Sequence, residues 1–259
     1  MPVKPVALGL AGCYPSFERH GQEALSGGTM RIGEPYKALD DVYVVAGSEI
    51  TDPRDCTVYL IDLGELVLID AGAGPSASQI KRNIELLGLD PGKLSSVVLT
   101  HCHIDHCGGA QFFVNEFGAR LIMHEADAAP VERGDGKMTA ASWYGLRSDP
   151  VLIDVKITGE EETISFSGQA LVCLHTPGHT PGSLSVYMDR AGKRVLFGQD
   201  IHGPFHPDFG SDIALWRKSM HHLLQLQADV LCEGHFGVYE PKERVRAYIE
   251  HYLATYEKS

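Results

Sequence analysis

No stretch of the chain reaches the roughly 18 consecutive apolar residues that a membrane-spanning helix needs, so a helical membrane protein is excluded and no membrane partner is expected. Clusters of lysine or arginine are missing too. Against 22 basic residues stand 34 acidic ones, a net charge of -12. No basic block offers a track for a phosphate backbone, and nucleic acid is not an expected partner. A single nucleotide is a different case, since its phosphates can meet a metal ion directly. Cysteine is sparse: Cys13, Cys56, Cys102, Cys107, Cys173 and Cys232 are dispersed through 259 residues. With 44% hydrophobic residues the chain buries a core without covalent staples, so these read as free thiols in a reducing cytoplasm. A secretory leader is not expected either. Leu10-Ala11-Gly12-Cys13 imitates a bacterial lipidation site, but only about eight residues separate Lys4 from Cys13, short for a secretory apolar region. The turn Asp70-Ala71-Gly72-Ala73-Gly74-Pro75 lacks the lysine and hydroxyl of a phosphate loop and reads as a plain turn.

Histidine, by contrast, is concentrated. Directly after the apolar run Val97-Val98-Leu99, the segment Thr100-His101-Cys102-His103-Ile104-Asp105-His106 places three imidazoles and a carboxylate within six residues. Such donors suit a borderline divalent ion such as zinc, at a density that core packing does not explain. His101 and His103 lie two apart, so in extended backbone they leave the same face while Cys102 points away. Asp105 and His106 lie a turn further on, in reach of a second, neighbouring position. Three more candidates follow: His179 in Thr176-Pro177-Gly178-His179-Thr180-Pro181-Gly182, Asp200 at the end of Arg194-Val195-Leu196-Phe197-Gly198-Gln199-Asp200, and His235 after Asp229-Val230-Leu231-Cys232-Glu233-Gly234. Each sits where a strand-like run ends, and rigid backbone there holds a side chain over a shared cleft.

The surrounding pattern alternates strands and helices, the layout of a layered α/β chain, and one domain over residues 1–259 is expected. Strands are expected at 42–45, 57–61 and 66–69, the latter two forming a hairpin, with a helix over 76–87 whose stripe is Ile80, Ile84 and Leu87. Gly108-Gly109 opens a helix carrying Phe112, Phe113 and Phe117 as core aromatics, and Leu121-Ile122-Met123 is a strand ending at His124. In the second half, strand-like runs at 151–155, 163–166, 170–175, 184–188 and 194–198 precede a helix around 212–227 that buries Trp216, Met220, Leu223 and Leu224. A last helix starts near Pro241 and buries Val245, Ile249, Tyr252 and Tyr256.

From about Asp41 to about His251 the chain resembles the metallo-beta-lactamase fold hydrolases, which include the glyoxalase II type thioesterases. The resemblance implies a four-layer αββα sandwich with the metal site at one edge of the two sheets. It implies that His101, His103 and His179 hold a first metal, that Asp105, His106 and His235 hold a second, and that Asp200 bridges them. One departure is visible: the glycine often found immediately before that aspartate is displaced, giving Gly198-Gln199-Asp200, so the local turn is expected to differ. Five neutral imidazoles and two carboxylates leave two divalent ions, most readily Zn2+ with Fe or Mn compatible, with net positive charge that favours a bridging hydroxide. Structural zinc sites, in contrast, are closed by four ligands each, several of them cysteine.

The expected reaction is attack of that hydroxide on a small acyl substrate: a thioester, a lactone, or a related ester or amide. Asp105 is expected to act catalytically as well, accepting or relaying a proton. Three alternatives stand beside it. A persulfide dioxygenase would use a single iron held by His101, His179 and Asp200; a phosphodiesterase would use the same metals on phosphate; a non-catalytic interaction protein would bind metal without turnover. The acidic composition weighs against the nucleases of this fold. Glyoxalase II type enzymes place their glutathione-binding residues in an added C-terminal helical region, whereas this sequence runs only 24 residues past His235, so glutathione is not the favoured substrate. Candidate pocket walls are 14–40, 127–150 with Trp143 and Tyr144, and 201–210. His202 and His206 are candidates for orienting substrate or supporting a metal ligand, and His124 for a supporting role. Homo-oligomerisation is left open.

Overall fold

A computed structural model describes residues 33–257. The Leu10–Cys13 segment, Cys13 itself and the expected pocket loop up to residue 32 lie outside the described residues. Strands β1 (Tyr36–Leu39), β2 (Val42–Ala46), β3 (Val58–Asp62) and β4 (Leu66–Ile69) form an antiparallel meander. From β4 onward the sheet turns parallel through β5 (Leu94–Val98), β6 (Arg120–His124) and β7 (Val155–Ile157). Parallel neighbours need crossovers, and helices α1 (Ala77–Leu86), α3 (Ala110–Phe117) and α4 (Glu125–Arg133) supply them on one face. The short α2 (Ile104–Cys107) carries the centre of the histidine motif. A second sheet has the order β13 (Gly237–Tyr239), β12 (Val230–Glu233), β11 (Lys193–Gln199), β10 (Leu184–Arg190), β9 (Gln169–His175), β8 (Glu161–Phe166). Helices α5 (Ile213–Gln225) and α6 (Lys242–Tyr256) complete the chain.

Three apolar clusters show how these elements stack. Leu60, Leu68, Val97 and Leu121 meet Ile80, Ile84 and Phe113 between the first sheet and its helices. Tyr59, Ile61, Ile69 and Val98 meet Phe166, Val186, Phe197 and Cys232 between the sheets. Leu174, Leu196 and Leu231 meet Trp216, Met220, Tyr248 and Ile249 under α5 and α6. Two sheets face to face, each with helices outside, make the expected αββα sandwich. Residues of opposite parity on one strand serve different clusters, as a period of two requires: Leu60 faces the helices while Tyr59 and Ile61 face the other sheet.

Some boundaries differ from the sequence reading. The 151–155 run is not a strand; Val151 and Ile153 are buried, but the Ile153 N–H donates to Glu132 Oε1 and that of Asp154 to the Leu121 carbonyl. Pairing begins only at Val155, and it joins the first sheet rather than the second. The 127–150 segment is not all loop, because its start belongs to α4, whose interior Pro130 disguises a helix as a break. In the 14–40 segment, residues 36–39 form edge strand β1. Cys56, Cys102, Cys107, Cys173 and Cys232 are free and buried. Among the described residues no helix is long and apolar enough to cross a membrane.

Candidate metal centre

The seven donors gather at one end of the sandwich, beyond the carboxyl ends of β5, β9, β11 and β12, where open sheets present their loops. His103 Nδ1 lies 3.1 Å from His101 Nε2 and 2.9 Å from His179 Nε2. Asp200 Oδ2 lies 3.3 Å from His179 Nε2 and 3.8 Å from His101 Nε2. The other oxygen, Asp200 Oδ1, turns to a second group: it is 3.2 Å from His106 Nε2 and 3.4 Å from His235 Nε2. Asp105 Oδ2 completes that group, 3.6 Å from His106 Nε2 and 3.5 Å from His235 Nε2.

These spacings test whether the residues fit metal. A tetrahedral ion with bonds of about 2.0–2.1 Å separates its donors by about 3.3 Å. Both groups match within about half an ångström, and they share one carboxylate. Deep burial adds to the case: His106 Nε2 and Asp200 Oδ1 are buried without a hydrogen bond among the described residues although they face each other. Unpaired buried polar atoms are costly, and convergent lone pairs of this kind are what a cation satisfies.

The other ring nitrogens are held so that the donor atoms keep their lone pairs. His106 Nδ1 donates to Asp70 Oδ2 at 2.6 Å, and His179 Nδ1 donates to the Pro204 carbonyl at 2.8 Å. Thr100 Oγ1 donates to Asp70 and accepts from His101 Nδ1 at 3.2 Å. Each contact fixes a tautomer with Nε2 free, the usual support of a metal-binding histidine. Electrostatics divide the groups. Burial, then the neighbouring His106 and His103, pushes the His101 pKa well below its usual value, and burial, then His179, does the same to His103. Burial opposes charge on His106, yet the acidic groups Cys56, Asp200, Asp105 and Asp70 carry its pKa well above the usual range. Burial likewise opposes ionisation of Asp200, but His106 and His235 hold its carboxyl well below.

Three buried acids organise the loops, and the sequence reading assigned none of them. Asp70, at the end of β4, accepts from His106 and from both the N–H and hydroxyl of Thr100. Asp127 accepts from the Cys102 N–H at 3.0 Å, the Thr180 hydroxyl at 2.7 Å and the Gly182 N–H at 2.7 Å, tying the His101 loop to the His179 loop. Glu233 accepts from His202 Nδ1 at 2.9 Å and from the N–H groups of His235 and Phe236. Each stands at a strand end or in the first turn of a helix, a setting too ordinary in sequence to single it out.

The remaining candidates fall around the centre. His202 turns toward it, since one of its ring nitrogens lies within 4.8 Å of donor atoms on Asp200 and His235. His206 accepts from the Asp208 N–H, and its ring lies 5.0 Å from Trp143. Phe209 joins Trp143 at 4.8 Å and His103 at 4.5 Å, so the 127–150 and 201–210 segments meet as an aromatic wall beside the first group. Tyr144 donates to Asp105 Oδ2 at 3.0 Å. His124 instead accepts from the Ala126 N–H at the start of α4 and stacks on His175 at 3.8 Å.

Residues 51–235 match the protein-family model of the metallo-beta-lactamase superfamily. The chain is 25% identical over 243 residues to the probable metallo-hydrolase YflN of Bacillus subtilis, covering 79% of this chain and 91% of that one. It is 29% identical over 199 residues to the acyl-coenzyme A thioesterase MBLAC2 of Gallus gallus, covering 67% and 69%. Among solved structures, a metallo-beta-lactamase of Cronobacter sakazakii shares the fold with a TM-score of 0.74 at 24% identity, covering 87% of this chain and 96% of that one. With its sandwich, its paired donor groups and a family match across most of its length, this chain belongs to the metallo-beta-lactamase superfamily.

Proposed function

We propose that the chain is a metal-dependent hydrolase of the glyoxalase II-like branch, holding two divalent ions, most readily zinc, and cleaving a small acyl substrate such as a thioester or lactone. The observation that carries this reading is Asp200, whose two oxygens face two complete donor groups. A mononuclear iron site built from His101, His179 and Asp200 would leave Asp105, His106 and His235 converging to no purpose. The likeness to an acyl-coenzyme A thioesterase supports the substrate class, and the acidic composition speaks against a nucleic-acid polymer.

Bound divalent ions supply Lewis acidity toward a carbonyl and activation of water. The residues supply the rest. Asp200 fixes the separation of the two donor groups. Asp105 presents Oδ2 to His106, His235 and the Tyr144 hydroxyl, and its second oxygen is assigned the task of accepting a proton from attacking water. Tyr144 steadies that carboxylate. Approach runs from the His235 side, because its side chain is 19% exposed while those of the other six donors are 6% or less, or buried. Trp143, His206 and Phe209 offer an apolar, aromatic wall to the acyl or leaving group. A thiolate or alkoxide that leaves readily needs little protonation, which suits a centre with no dedicated acid among these assignments.

The test is a panel of thioesters, lactones, beta-lactams and phosphodiesters offered to zinc-loaded protein with and without oxygen. Acyl turnover independent of oxygen is expected. Phosphodiester cleavage with no acyl turnover, or oxygen consumption with a persulfide, would overturn the assignment.

A further inference from the structure

Gln199 ends β11 with a φ of 49°, in the left-handed region that a side chain other than glycine, asparagine or aspartate seldom occupies. This is the place where the resemblance leads one to expect glycine. The side chain is also only 2% exposed, and neither its Nε2 nor its Oε1 has a hydrogen-bond partner among the described residues. Strain and an unpaired buried amide are two separate penalties, and a glycine would remove both at once.

The location of the carboxamide says what offsets them. A Cβ added to Gly234 would stand 2.7 Å from Asp200 Oδ1 and 2.8 Å from Gln199 Oε1, so both oxygens crowd one point of bare backbone next to His235. Asp200 Oδ1 is itself without a hydrogen bond. Half a turn of the carboxamide exchanges its oxygen and nitrogen without changing its shape and places an N–H at the point beside Gly234 that Asp200 Oδ1 also approaches. Gln199 and Asp200 also line, with His101, His179, Thr176 and Ser185, a cavity of about 20 Å³ behind the first donor group, room for one water to serve the amide's other end.

We propose that Gln199 is a positioning residue of the metal centre: its carboxamide donates to Asp200 and holds that carboxylate in the orientation that gives one oxygen to each donor group. The proposal rests on the two-metal reading above but not on any substrate. It explains why a strained side chain stands where glycine would be relaxed.

Two variants separate backbone from amide. Gln199→Ala keeps the left-handed side chain and removes the amide, whereas Gln199→Gly removes both. Three quantities are measured: melting of the metal-free chain, cobalt affinity by competition with a chromophoric chelator, and the visible spectrum of the cobalt-loaded protein. Metal-free Gln199→Gly is expected to melt higher than Gln199→Ala. Both variants are expected to bind cobalt about 10- to 100-fold more weakly, the usual loss when support of a ligand is removed, with shifted absorption bands. If Gln199→Ala fails to fold, the unstrained glycine variant carries the affinity and spectral test alone. Unchanged affinity and spectrum in the variants would overturn the proposal. Parent protein that binds no metal would overturn it together with the metal reading, while parent protein that binds two ions but turns over no acyl substrate would overturn the reaction alone.

Discussion

Replacing Asp70 by asparagine perturbs the centre without touching a donor. Asp70 is fully buried and has a φ of 65°, a conformation asparagine tolerates, so the exchange adds no backbone strain. The asparagine oxygen can still accept from the Thr100 N–H, now 2.8 Å from the carboxylate. The amide nitrogen then meets His106 Nδ1, where the carboxylate oxygen stands at 2.6 Å. Two donors face each other, and the relief is for His106 to carry its proton on Nε2 instead, which blocks the lone pair aimed at Asp105, Asp200 and His235. Affinity for the second ion should fall about 10- to 100-fold, equivalent to about 1.4 to 2.7 kcal/mol. Loss of one hydrogen bond to a charged group lowers fold stability by about 1.5–3 kcal/mol, reduced because burial already raises the Asp70 pKa and disfavours its charge. Chelator competition on the variant and urea melts of its metal-free form measure the two effects. Parent-like affinity for both ions would refute the argument that Asp70 sets the His106 tautomer.

Asp105→Asn should lower turnover more than its effect on metal content accounts for, while Tyr144→Phe should lower turnover with metal content nearly intact; equal losses of turnover and metal in Asp105→Asn would make that residue a ligand only. Asp127→Ala should leave the buried Cys102 and Gly182 N–H groups unpaired, the Thr180 hydroxyl keeping Ser183 Oγ at 2.7 Å, and destabilise the chain by at least about 2 kcal/mol, since each stranded group costs about 1–3 kcal/mol; denaturant melts within about 1 kcal/mol of the parent would contradict this. Burial, then the charge of the stacked His175, lowers the His124 pKa to about 4 from the usual 6.5. A histidine held neutral in this way contributes stability that is complete above about pH 6.5 and is lost as pH falls toward 4. His124→Asn can still accept from the Ala126 N–H and should flatten the fall in stability over that window relative to the parent, measured by melts from pH 7 to 4.

Much of the centre was legible because metal ligation demands an unusual local density of particular side chains. His101, His103, Asp105 and His106 announce themselves by spacing, and His179, Asp200 and His235 by their place at the ends of apolar runs. Asp70, Asp127 and Glu233 do not. A single acid beside a strand or turn is ordinary, and only the tertiary structure shows that its carboxylate is buried beside the candidate donors. The same limit applies to secondary structure. The alternation of Val151 and Ile153 signals burial correctly, but whether such a segment pairs depends on where its N–H groups point, and here they go to Glu132 and the Leu121 carbonyl. Pro130 hides α4 because local propensity argues for a break, while Ala128 and Val131 pack against the first core and hold the helix. Gln199 read only as a departure from an expected glycine; its positive φ and unpaired amide make it a candidate support for Asp200.

The central claim is that one chain holds two ions bridged by Asp200, and the most direct measurement is anomalous diffraction at the metal edge from crystals grown with zinc. Two peaks about 3.5–4 Å apart are predicted, one within His101, His103 and His179, the other within Asp105, His106 and His235, with Asp200 between them. A single fully occupied peak, with Asp105 and His106 turned away from it, would contradict the account.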